Sequence, residues 1–215
     1  MKISFLSFCL VASSLFLFTQ CTKDNSSPST STSNYSPLTV GSNWTYNYTQ
    51  DSSAASTYTV TVTSKDTTAN GRTYKVLSSS DGTGNLYMAR EDSNYYRYAS
   101  FPQLGIDGFE ELYLKDNRPV NSTWTNTASF KYQGTSIPAT LTYTIKEKGI
   151  THTVNGKTYN DVIHVNLDIN VLISSIGGGD FYYAQGIGLI DNQISVGLSG
   201  ASFNSKQELI SYEIK

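Results

Sequence analysis

Between Asp161 and Ile173 the chain reads DVIHVNLDINVLI. Ile163, Val165, Leu167, Ile169 and Val171 alternate strictly with His164, Asn166, Asp168 and Asn170. Successive side chains of a strand point to opposite faces, so a period of two demands a β-strand with one apolar and one polar face. The alternation recurs in Trp44, Tyr46 and Tyr48, in Tyr58, Val60 and Val62, and in Leu141, Tyr143 and Ile145. Past the first twenty residues no segment sustains a 3.6-residue apolar period. Tyr is abundant, at 16 residues, and Thr, Ser, Val and Ile are frequent, which is strand composition. These patterns predict an all-β, antiparallel fold, either a two-sheet sandwich or an open or half barrel.

Turn chemistry supports that reading. Asn70-Gly71 and Asn155-Gly156 sit between alternating runs. Asn-Gly supplies two residues that tolerate positive φ, as a type I′ hairpin turn requires. Ser79 to Asn85, SSDGTGN, reads as a further turn. The runs also repeat. VGSNWTYNY (Val40–Tyr48) matches VNSTWTNTA (Val120–Ala128), each just after a proline, Pro37 or Pro119. NGRTYKV from Asn70 then matches NGKTYNDV from Asn155, and GNLYMAR from Gly84 matches GDFYYAQ from Gly179. Three matches in one order imply a tandem duplication. A single β domain is expected over 37–215, with one half at about 37–117 and the other at about 118–215.

The first twenty residues read as an export signal: Lys2 supplies a positive start and Ile3–Phe18 are mostly apolar. The run ends at Cys21. This stretch resembles a bacterial lipoprotein signal, in which the cysteine thiol receives a diacylglycerol and cleavage falls just before it. Phe18 and Gln20 depart from the usual Leu and small residue. Cys9 is the one other cysteine and lies inside the segment to be removed, so Cys21 has no structural partner. Residues 21–36 are Ser/Thr-rich and almost free of apolar side chains, the composition of a flexible tether. Burial of several acyl chains gives stable anchoring. Thr22 after the cysteine points to the outer membrane, and the short Lys23-Asp24 cluster is a thin version of a surface-export signal; the choice between the periplasmic and surface faces stays open.

FYYAQGIGLIDNQI resembles a motif of uncharacterised cell-envelope lipoproteins, many from Bacteroidota. In it aromatic residues, Ala, any residue, Gly, an aliphatic, Gly, Leu and an aliphatic follow one another. Tyr182, Tyr183, Ala184, Gly186, Ile187, Gly188, Leu189 and Ile190 match, and a Gly-Trp pattern like that around Trp44 lies upstream in the group. The resemblance implies an exported β protein and no particular activity. Physically, Gly186 and Gly188 are expected on one strand face, where a missing Cβ lets the strand bend or a large ring lie close.

Net charge is −2, from 15 basic and 17 acidic side chains spread singly, which gives no footprint for nucleic acid. No Ser sits in a G-x-S-x-G elbow, and no catalytic residue is assigned. Two histidines without a spare cysteine make no zinc site, and no cofactor is implied. His164, Asn166 and Asp168 share a strand face and read as solvated polar positions rather than calcium ligands. Glu91-Asp92 and Glu110-Glu111 are adjacent pairs, whose members point to opposite faces of a strand. Gly177–Gly179 lacks the following helix and lysine of a phosphate loop.

The aromatic surplus has the widest functional reach. In SNYYRYASF, Tyr95 shares a face with Arg97, and Tyr96 with Tyr98. Tyr95, Tyr96, Tyr98 and Phe101 are therefore the candidate ligand-binding residues. The first reading is a lipid-anchored, non-catalytic binding module for a glycan, a lipophilic ligand or a partner protein. The second is an envelope assembly subunit that pairs through an exposed strand edge. The third is a polysaccharide hydrolase, which requires two carboxylates across a cleft.

Overall fold

The computed structural model describes residues 33–101, 106–132, 135–198 and 201–215, with side chains omitted at 101–107, 130–134 and 198–201. The strands are β1 (Asn43–Gln50), β2 (Ser56–Ala69), β3 (Arg72–Ser79), β4 (Asn85–Glu91), β5 (Asn94–Phe101) and β6 (Ile106–Lys115). They continue as β7 (Thr123–Tyr132), β8 (Thr135–Val154), β9 (Lys157–Val171), β10 (Ser174–Ala184), β11 (Gly188–Leu198) and β12 (Ala201–Glu213). Each strand from β1 to β6, and from β7 to β12, pairs antiparallel with the next, and β12 pairs with β1. The result is a nearly closed, barrel-shaped sheet of twelve strands with its one break between β6 and β7. Of the two expected all-β architectures, the open barrel is the one found.

The hairpin turns follow from local chemistry. Asn70 (φ 49°) and Gly71 (φ 77°), and Asn155 (φ 49°) and Gly156 (φ 76°), both take the left-handed conformation of a type I′ turn. They join β2 to β3 and β8 to β9. The matched sequence stretches fall on strands six apart: the Trp motifs on β1 and β7, the Asn-Gly turns after β2 and β8, and the third pair at β4 and β10.

Alternation sorts the side chains between lumen and exterior. Trp44 and Tyr46 from β1, Val60 and Val62 from β2, and Ile163, Val165 and Leu167 from β9 are buried inside. Thr45, Asn47 and Thr49, and Asn166, Asp168 and Asn170, lie on the opposite face. Polar outside and apolar inside is the reverse of the arrangement by which a barrel faces lipid.

The compact unit begins at Ser33, inside the segment whose composition reads as a tether. The Ser33 carbonyl accepts from Arg90 Nη2 at 2.6 Å, and its hydroxyl donates to Asp116 at 2.7 Å. Asn34 O accepts from the Gly186 amide at 2.6 Å. Arg90 lies on β4 and Gly186 between β10 and β11, so in a ring of twelve strands these anchors sit on opposite walls. Ser33–Ser36 therefore crosses one end of the barrel, and Tyr35 is buried beneath it against the core. Residues 1–32, Cys21 among them, lie outside the described residues.

Gly186 lies in the β10–β11 turn and Gly188 opens β11, paired with Ala184, so the two do not share one strand face. Both take positive φ, +74° in the turn and +109° at the start of the strand. A large ring does lie near Gly188: a Cβ there would meet Tyr35 O at 3.6 Å and Trp44 Nε1 at 3.8 Å.

Candidate functional site: a lumenal cavity beside Arg97

Pairing across β3, β4, β5 and β6 places Lys75, Met88, Arg97 and Glu111 in one inward-facing row. Glu111 is buried, with a side chain 5% exposed, whereas Arg97 is 44% exposed. A buried carboxylate needs compensating donors. Arg97 Nε donates to Glu111 Oε2 at 2.8 Å, and Nη2 donates to the same oxygen. The Tyr143 hydroxyl from β8 donates to Oε1. Glu111 raises the Arg97 pKa further above its already high ordinary value. Burial, and then Glu111, push the Tyr143 hydroxyl up as well. The guanidinium is thus held charged in one orientation.

Arg97 faces a cavity of about 180 Å³ in the lumen. Its walls include Leu38, which follows the crossing segment, Trp44 and Tyr46 from β1, Leu77 from β3, Met88 from β4 and Leu189 from β11. Asn192 and Gln207 add uncharged polar groups. Trp44 Nε1 donates to Ile187 O at 2.7 Å, and the Tyr46 hydroxyl donates to Leu189 O at 3.0 Å. Both large rings are therefore fixed, and the cavity between them is built rather than incidental. A second cavity, of about 650 Å³, shares Leu86 and Arg97 with the first.

The four candidate aromatic residues do not share one surface. Tyr95 is fully buried; its hydroxyl donates to Asp116 Oδ2 at 2.6 Å, and burial followed by that bond raises its pKa. Tyr96 and Tyr98 are half-buried on the opposite, outer face of β5. The Arg72 guanidinium covers the Tyr96 ring at 3.4 Å. Tyr98 packs against Tyr74 and Tyr87, with ring centres 5.6 and 6.3 Å away. Phe101 pairs through its backbone with Ile106, and its side chain lies outside the described residues. Of the described residues of this stretch, Arg97 alone lines the 180 Å³ cavity, whereas Arg97 and Tyr98 both line the 650 Å³ one. The sequence signal of Arg97 is a lone cation in phase with Tyr95.

Elsewhere ionisable side chains pair across the outer face. Glu110 points outward to Arg72 at 2.5 Å, the face opposite to Glu111, as alternation requires. On the outer face of β8–β11, Tyr182 is stacked between His152 and His164, at 3.8 and 4.4 Å between ring centres. Asp191 bonds His152, and Glu147 and Asp180 bond His164.

No family profile matches the chain, and no curated protein sequence matches it. Solved structures do. The chain is similar to a candidate lipoprotein from Parabacteroides distasonis, at a TM-score of 0.50 and 13% identity over 84% of this chain and 99% of that one. It is also similar to a candidate exported protein with a YmcC-like fold from Bacteroides fragilis, at 0.48 and 12% over 82% and 97%. The third is the hypothetical lipoprotein YmcC from Escherichia coli, at 0.42 and 11% over 81% and 86%. At 13% identity the Parabacteroides likeness establishes a common fold, that of the nearly closed antiparallel barrel.

Proposed function

We propose that this chain is a lipid-anchored cell-envelope protein whose barrel lumen holds a small lipophilic ligand. The observation that carries the reading is the cavity between Trp44, Tyr46, Leu77 and Met88, apolar on most sides and lined by fixed rings. A lining of apolar and aromatic side chains with a few convergent polar groups is the usual one of a small-molecule site. Acyl chains on Cys21 supply the anchor and outer-membrane address, and the residues between Cys21 and Ser33 form the leash. The matched stretches on strands six apart support an origin by duplication of a six-strand unit.

Trp44 lines the cavity and makes the reading testable. With Trp124→Phe, Trp44 is the remaining indole of the two in the chain. Titration with 1-octanol is expected to give a saturable change in its emission. Emission unchanged up to the solubility limit of the alcohol overturns the reading.

A further inference from the structure

We infer that the lumenal ligand carries one acidic group, a carboxylate, which docks on Arg97; this rests on the lumen being the binding site. Arg97 is the one charged side chain among the described residues lining the 180 Å³ cavity, and also among those lining the 650 Å³ cavity. It stands where the two meet. Glu111 engages Nε and Nη2, so Nη1 has no hydrogen-bond partner among the described residues. Glu111 cannot turn to serve it, because its other oxygen is held by Tyr143. The guanidinium is therefore fixed from behind, while the Arg97 side chain, 44% exposed, stays accessible to an entering ligand.

A guanidinium N–H is satisfied about twice as well by a charged acceptor as by a neutral one. Among the described residues no Asp or Glu lines either cavity; the nearest carboxylate, Glu111, sits behind the guanidinium, engaged by Nε, Nη2 and the Tyr143 hydroxyl. Taking a water's share of liquid volume as ~30 Å³, the inner cavity has room for about six waters. That suits the tail of a medium-chain carboxylic acid. A tail of this kind lies between Trp44 and Leu77, and its head meets Nη1.

The experiment compares octanoate with 1-octanol on the purified protein at pH 8, read by calorimetry, and by Trp44 emission in the Trp124→Phe background. Octanoate is expected to bind at least tenfold more tightly. In the paired variant Arg97→Gln with Glu111→Gln, which removes both charges together, octanoate affinity is expected to fall to that of octanol. Equal wild-type affinities for the two ligands overturn the carboxylate inference and leave the lumenal site standing. Binding of neither overturns both. If the paired variant fails to fold by circular dichroism, the wild-type comparison alone decides.

Discussion

The Asn126 side chain on β7 takes both backbone hydrogen bonds of Leu112 on β6. Its Oδ1 accepts from the Leu112 amide at 3.1 Å, and its Nδ2 donates to the Leu112 carbonyl at 3.1 Å. Trp124 Nε1 donates to the same carbonyl at 2.7 Å. These two strands are consecutive in sequence and yet form no ladder. A carboxamide and an indole occupy the space where a neighbouring backbone would pair, and they stitch the barrel's break from one side. Leu112 thereby meets the requirement that backbone groups away from water be bonded.

Removing the stitch has a defined cost. Asn126→Ala leaves one donor and part of one acceptor unmatched, and is expected to destabilise the fold by about 1–2 kcal/mol. Hydrogen exchange at the Leu112 amide is expected to accelerate strongly, while amides of β1 and β12, which close the other side by a full ladder, keep their protection. Unchanged exchange at Leu112 counts against this role for Asn126.

Two glycines separate conformational strain from collision. Gly186 has φ +74° with open space around a built Cβ, so Gly186→Ala is expected to cost about 1–2 kcal/mol from backbone strain. A Cβ on Gly178 would lie 1.9 Å from Leu167 O in the neighbouring strand. Gly178→Ala must part β9 from β10 and is expected to cost more than about 3 kcal/mol. Denaturant melts that rank the two in the opposite order contradict the tight β9–β10 contact.

Alkaline stability follows from the buried tyrosines. Tyr35 is pushed up to about 12 by burial and then by Asp116 and Asp161. Tyr74 is pushed up to about 12 by burial and then by its bond to Glu110. Below pH 10 both the folded and unfolded chains hold these phenol protons, and the stabilisation is complete. Between about 10 and about 12 the unfolded chain releases protons that the folded chain keeps, so stability falls as pH rises. Absorbance at the phenolate band is expected to show a late group of tyrosines that ionises together with loss of structure. A single titration near pH 10 with the fold intact contradicts this.

The anchor is tested by Cys21→Ser expressed in an envelope-bearing host. The wild-type chain is expected in the membrane fraction, with acyl mass on its first mature residue. The variant is expected to lose both. An unacylated wild-type terminus removes the membrane address and leaves the barrel account untouched.

Much of the barrel is legible in the chain, because alternation and Asn-Gly turns are local signals. Ile163 to Val171 and the two I′ turns depend on neighbours within a few residues. The closure is not local. Asn126 is one polar residue among several in TWTNTA, and only its phase with Trp124 places it inside. SNYYRYASF gives the correct pairing of Tyr95 with Arg97 on one face, but which face is inward is decided by β4 and β6. The Arg97–Glu111–Tyr143 network joins three strands over 46 positions of sequence, from 97 to 143, and no short window contains it. Gly186 and Gly188 two apart fit one strand face as well as a turn leading into a strand, and the crossing segment, through Asn34, holds Gly186 in the turn.

The lumenal site is tested most directly by a crystal structure of the protein grown with 1-octanol. Density for the alcohol is predicted between Trp44, Tyr46, Leu77 and Met88. Density confined to the outer face near Tyr96 and Tyr98, or an interior closed by repacked side chains, contradicts the account.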